Sequence, residues 1–226
     1  MLVECITARV HIAGGYVLTQ KVDQMSKDRP LLEVLAAFNN LCIMIKDKRS
    51  FQELLSLSAA LVDEFKNDFD VLVRLLPNVM LLCPQIGLSQ GWTYQQMHLA
   101  EHVQFTLQRF MRVVSTKSNP VVLFLDDCQW AGRPALDLIH AILTDTRGST
   151  CCFFVGTYRD NEVDVDHPLM ELMASLDLAS IETSHVNLSG LSSGDLNIMV
   201  AESLCIFPRI VKPLSDIIFE KTYGNP

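Results

Sequence analysis

Stretches with helical hydrophobic spacing alternate along this chain with short, uninterrupted apolar runs. In residues 2–13, Val3, Ile6, Val10 and Ala13 fall on one helical stripe, which Gly14 and Gly15 end. Residues 16–21 read as a short strand and residues 23–30 as a polar loop. Two long helices are predicted over residues 31–45 and 51–65, the second burying Phe51, Leu54, Leu55, Leu61 and Val62. A shorter helix is predicted over residues 71–82, then a Pro-, Gly- and Ser-containing loop over 83–93. The longest helix is expected over residues 94–114, with a break at 115–119.

The pattern then changes. Residues 121–125 are five consecutive apolar positions without alternation, the mark of a strand covered on both faces in a parallel sheet. A helix is predicted over residues 133–143, with Pro134 in its first turn. A second apolar strand follows over 150–157, a helix over 169–178 and a third strand over 185–188. Residues 195–204 and 214–221 read as helices. Strands alternating with helices predict a three-layer α/β fold.

Composition narrows the setting. Of 226 residues, 49% are hydrophobic and 19% charged, as in a chain that folds around a core. No apolar run approaches the ~18 residues that span a bilayer, and residue 1 onward shows no secretory pattern, so a cytoplasmic or nuclear location is expected. The net charge of -8 argues against a broad nucleic-acid surface. The basic cluster Lys46, Lys48 and Arg49 reads as a solvated loop. Seven scattered cysteines without a Cys-x-x-Cys pair read as reduced, mostly buried thiols.

The chemically unusual point is Asp126-Asp127, two carboxylates at the end of an apolar strand. The carboxyl ends of parallel strands open onto the ligand crevice of such sheets. Adjacent anions there call for a cation or a hydrogen-bond donor, and Mg²⁺ with a nucleotide phosphate is the usual partner. In that role Asp126 would hold the metal, while Asp127 would orient or activate the attacking water or bond the neighbouring strand. The alternative is a strand that simply runs into an Asp-capped turn.

Further motifs sharpen this. Val121-Val-Leu-Phe-Leu-Asp-Asp-Cys-Gln-Trp-Ala131 resembles the Walker B segment of the STAND ATPases, an AAA+-like branch of the P-loop class found in signalling proteins. Residues 153–163 with His167-Pro168-Leu169 resemble the next strand and sensor loop of that family. Residues 188–195 resemble the passage into its helical lid, and residues 221–226 the start of the lid's Gly-Asn-Pro motif. Residues 15–30 resemble its second strand and following loop. The resemblance implies an ATPase core over residues 1–190, the start of a lid over 191–226, and ATP with Mg²⁺ as cofactors. It further implies other domains or protomers of a signalling assembly as partners. Thr157 or Arg159 would be the sensor that reads the terminal phosphate, and Gln129 would orient water or magnesium. Arg159 has a plainer alternative as a salt-bridge partner of Asp160 or Glu162, and Trp130 reads as a packing anchor.

The sequence departs from the family in one main respect. It contains no Gly-x-x-x-x-Gly-Lys-Ser/Thr, the run whose backbone N–H groups and lysine cradle phosphates. By resemblance, the helix at residues 2–13 is the one that follows that loop, so the chain is expected to be a fragment lacking it. A sheet without its central strand would expose backbone groups, and low solubility or marginal stability is expected. Gly132 stands where the family usually carries an acidic residue.

Two other functions stay open. One is a degenerate, non-catalytic interaction module built on the same fold. The other is a zinc peptidase, since His98-Leu-Ala-Glu-His102 fits H-x-x-E-H with its histidines four apart on one helix face.

Overall fold

The structure, a computed structural model, describes residues 2–24, 30–83, 85, 99–145, 147 and 150–225. Helix α1 (Leu2–Ile12) leads into β1 (Tyr16–Lys21), followed by α2 (Pro30–Lys48), α3 (Phe51–Phe65), α4 (Phe69–Leu75) and α5 (Leu99–Val114). Then come β2 (Val121–Asp126), α6 (Arg133–Leu143), β3 (Cys152–Gly156), α7 (Pro168–Leu178), α8 (Ser193–Leu204) and α9 (Pro208–Thr222). The strands form a parallel sheet in the order β1-β2-β3. The expected α/β architecture with a parallel sheet is therefore present.

Strand β2 lies between the other two, its register running from Tyr16↔Val121 to Lys21↔Asp126 on one side and from Val121↔Cys152 to Leu125↔Gly156 on the other. Its first five residues are all buried. Successive side chains of a strand point to opposite faces. Val121 and Leu123 enter the main core, whereas Val122 and Phe124 are buried on the other face. Covering on both faces is why this run shows no alternation.

Helices α2, α3 and α5 supply much of the main core through Phe38, Leu41, Ile45, Leu61, Phe65 and Phe110. Phe38 and Phe110 meet edge to face with ring centroids 6.4 Å apart. A smaller core gathers under the carboxyl end of β2. There Leu125, Cys128 and Ala131 pack with Val22, with Leu136 and Ile139 of α6, and with Leu169, Leu172 and Leu176 of α7. This second core seats the loop that follows β2.

At the opposite end of the sheet, Gly15 lies so close to the residue before β2 that a Cβ would stand 2.4 Å from the Pro120 carbonyl oxygen. The basic cluster expected to be a solvated loop is part of this region instead. Lys48 Nζ donates to the Gly15 carbonyl at 2.9 Å, and Arg49 donates to the Tyr16 hydroxyl at 3.2 Å and to Asn119 Oδ1 at 2.9 Å. These cations lie at the end of α2 beside β1 and satisfy oxygens there, while Lys46 pairs with its neighbour Asp47.

Other expectations need correction. Residues 71–82 are not one helix: α4 ends at Leu75, and Pro77, which lacks an N–H, starts a separate 3₁₀ segment at Pro77–Leu81. Residues 94–98 lie outside the described residues, so the longest described helix is α2 with 19 residues. Among the described residues, 185–188 pair with no strand, and Val186 and Leu188 stand exposed. Helix α9 starts at Pro208, not at Leu214, and continues through Pro213.

The chain divides into two compact units, Met1–Thr183 and Ser184–Pro226. In the second, Ser192 caps α8 by accepting from the Asp195 N–H at 3.1 Å. Its helices are joined by the Ser215 hydroxyl donating to Asn197 Oδ1 at 2.9 Å, and Leu191 N–H donates to the Gly224 carbonyl at 2.7 Å.

Candidate functional site

Strand β2 stops because Asp127 adopts the left-handed conformation, with φ 59° and ψ 46°. Aspartate is among the few non-glycine residues that enter this region readily. A single 3₁₀ turn over Cys128–Trp130 follows, and Gly132 then caps α6 with Pro134 in its first turn. The change of hand sends two adjacent carboxylates to different partners. Asp126 Oδ1 accepts from the Thr157 hydroxyl at 2.5 Å. Asp127 Oδ1 accepts from Gln129 Nε2 at 3.0 Å, and its Oδ2 pairs with Lys21 Nζ at 3.1 Å.

Thr157 extends the sheet by one step. Its N–H donates to the Leu125 carbonyl at 2.9 Å, its carbonyl accepts from Cys128 N–H at 2.8 Å, and its hydroxyl accepts from Asp127 N–H at 3.2 Å. Arg159 lies two residues on. Its backbone N–H donates to Gln129 Oε1 at 3.3 Å, its guanidinium donates to Glu162 at 2.9 Å, and its Nε stands 3.8 Å from Asp127 Oδ1. Gln129 is 5% exposed, and its amide is engaged at both ends, with Asp127 and with Arg159. Its backbone carbonyl lies 3.1 Å from His167 Nε2, while His167 Nδ1 accepts from the Leu169 N–H at 3.1 Å and so caps α7.

The hydrogen bond from Gln129, then the ammonium of Lys21, holds the Asp127 carboxyl below its ordinary range. Asp127 is thus an ionised, oriented carboxylate. Burial pushes the neighbouring Cys128 thiol up to about 12, so it serves as a packing group in the second core. Among the described residues no cation stands within ion-pair distance of Asp126. Among those residues its carboxylate has one oxygen fixed by a hydroxyl and meets no opposing charge.

Residues 1–154 match the family model described as an AAA ATPase domain. The chain belongs to the AAA ATPase domain family. No curated protein and no solved structure matches it closely enough to count as a relative. The AAA ATPase match takes in β1, β2 and the first part of β3, and Thr157, Arg159 and His167 follow it in sequence.

AAA ATPase domains in general bind nucleotide with Mg²⁺, and the donor set here suits that ion. Mg²⁺ takes one or two carboxylates and completes its shell with water and phosphate oxygens. Asp126 offers such an oxygen, whereas both oxygens of Asp127 already face donors. Among the described residues no group of three or more His, Cys, Asp or Glu is placed to hold a metal ion. For the zinc alternative, His98 lies outside the described residues, and of His102 only the backbone, within α5, is described.

The five residues singled out from sequence, Asp126, Asp127, Gln129, Thr157 and Arg159, thus come together at the carboxyl ends of β2 and β3. Two further participants were not assigned a role in sequence. Lys21 reaches Asp127 only because β1 pairs with β2 in the observed register. His167, noted only as part of a motif, contacts Gln129 across 38 residues of sequence.

Proposed function

We propose that this AAA ATPase-family chain carries the metal and water side of an ATP·Mg²⁺ site in a STAND-type regulatory ATPase. The observation that supports it best is the division of labour between adjacent carboxylates: Asp126 has no cationic partner among the described residues, and Asp127 is held ionised by Gln129 and Lys21. In this reading Asp126 would hold magnesium, and Thr157 fixes the direction of its carboxylate. The ion would neutralise charge developing on the phosphates. Asp127 orients the attacking water, and Gln129 acts on Asp127 instead of touching water or metal directly. Arg159 reads the terminal phosphate, for which its guanidinium would turn from Glu162. The core over residues 1–190 and the start of a helical lid over 191–226 would belong to a signalling assembly whose other domains or protomers respond to the nucleotide.

The test is ATP turnover and nucleotide binding by the intact protein. Asp127→Asn is expected to lower turnover while sparing most binding, and Asp126→Asn to weaken the Mg²⁺ dependence of binding. Unchanged turnover in Asp127→Asn overturns the assignment.

A second reading, a non-catalytic interaction module, is favoured for these 226 residues by themselves, which contain no Gly-x-x-x-x-Gly-Lys-Ser/Thr run. Tight ATP·Mg²⁺ binding by this 226-residue chain overturns that reading.

A further inference from the structure

We propose that His167 is the positioning residue for Gln129 and, through Gln129, for Asp127; this rests on reading Asp127 as the residue that handles the attacking water. The ring of His167 has two distinct jobs. Nδ1 accepts the Leu169 N–H at 3.1 Å, so it carries no proton in this arrangement. The neutral ring then bears its hydrogen on Nε2, which donates to the Gln129 carbonyl 3.1 Å away. The cap therefore sets the tautomer that the second bond requires.

That second bond ties α7's first turn to the 3₁₀ turn after β2, and it falls on a residue that already governs Asp127. Gln129 is buried, and its amide bridges Asp127 Oδ1 and the Arg159 N–H. Displacement of the turn's backbone at Gln129 would carry the side-chain amide with it and release both. His167, by holding the Gln129 carbonyl, opposes that displacement from a firm mount, because Leu169, Leu172 and Leu176 anchor α7 in the second core. A misplacement of about 1 Å in such an orienting group lowers rates strongly even without contact to substrate.

The competing explanation is that His167 merely caps a helix. Two substitutions separate the roles, because asparagine places a polar atom near the Nδ1 position and glutamine near Nε2. His167→Asn keeps an acceptor for the Leu169 N–H but falls short of the Gln129 carbonyl. His167→Gln reaches that carbonyl with its amide N–H but leaves the cap empty.

In the intact protein, His167→Asn is expected to keep its unfolding temperature and lose roughly tenfold in kcat, with KM for ATP little changed. His167→Gln should unfold several degrees lower and retain most of its kcat. A kcat that follows stability, normal in His167→Asn and lowered in His167→Gln, overturns the proposal. So does an imidazole ¹⁵N spectrum showing the hydrogen on Nδ1. Asp127→Asn in the same assay separates the two levels. If it leaves turnover unchanged, the reading of Asp127 fails and the proposal with it. If it lowers turnover and His167→Asn does not, only the role of His167 falls.

Discussion

The hydroxyl of Thr157 donates to Asp126 Oδ1 at 2.5 Å while accepting the backbone N–H of Asp127 at 3.2 Å. One side chain just past β3 thereby fixes a carboxylate at the end of β2 and the backbone of the residue after it. The contact sits one step beyond the last paired residues, Leu125 and Gly156. It holds the two strand ends together where the ladder ends and the acidic loop begins.

Replacing Thr157 by valine preserves shape and removes this hydroxyl. The loss of a hydrogen bond to a charged group is expected to cost about 1–3 kcal/mol, and serine should recover most of it. Urea unfolding midpoints of the two variants check this. Equal stability of Thr157→Val and the parent chain would show that the bond contributes nothing net.

Acid should expose the role of Asp127. Its folded-state carboxyl lies below the ordinary range, first through Gln129 and then through Lys21. The stability this provides is present above the unfolded value and is lost as pH falls through the lower folded one. The stability difference between the parent chain and Asp127→Asn should therefore be flat near neutrality and shrink below about pH 4. Lys21→Met takes away one cation and should shift that loss to higher pH, with little effect at pH 7, since Lys21 is largely exposed. Unfolding temperatures measured across the acid range would reveal both effects.

The cysteines should divide by reactivity. Cys5 and Cys205 are exposed, whereas Cys42, Cys83 and Cys128 are buried. Burial pushes the Cys42 and Cys128 thiols up to about 12 and raises that of Cys83. Brief alkylation of the folded chain near pH 8 should modify Cys5 and Cys205 and spare these three, which become accessible after denaturation. Peptide mass mapping provides the readout; rapid native labelling of Cys128 would contradict the packing of the second core.

Gly15 offers a test of the sheet's other end. An added Cβ would meet the Pro120 carbonyl at 2.4 Å and a Val10 methyl at 2.7 Å. Gly15→Ala is expected to cost about 1–3 kcal/mol, because the nearest atom is backbone and can yield only by shifting β1 against β2. Thermal unfolding measures it directly.

Much of this was legible because β2 is buried on both faces, so Val121 to Leu125 carry a run that few other structures require. Asp126 and Asp127 followed as the end of that run. Spacing did not reveal that Thr157 would bridge them, because that depends on the register Leu125↔Gly156. Lys21 stayed hidden for the same reason, as an ordinary lysine until β1 aligns it with Asp126. Residues 185–188 misled because Val186 and Leu188 alternate like a strand yet face solvent. The helix expected over residues 214–221 begins earlier, at Pro208, and α9 holds Pro213 within its interior. The histidine ring that links α7 to Gln129 acts between elements, and local pattern carries no trace of such a link.

The handedness of Asp127 decides which chemical alphabet can be used at that position. With φ at 59°, the backbone there welcomes asparagine and glycine but penalises alanine, and β-branched side chains most of all. An alanine or valine scan would mix lost charge with a distorted turn, and its phenotype would report both together. Asparagine removes the charge and one acceptor while keeping the turn. A mirror-image residue, introduced by chemical synthesis, would find at position 127 a backbone that already suits it.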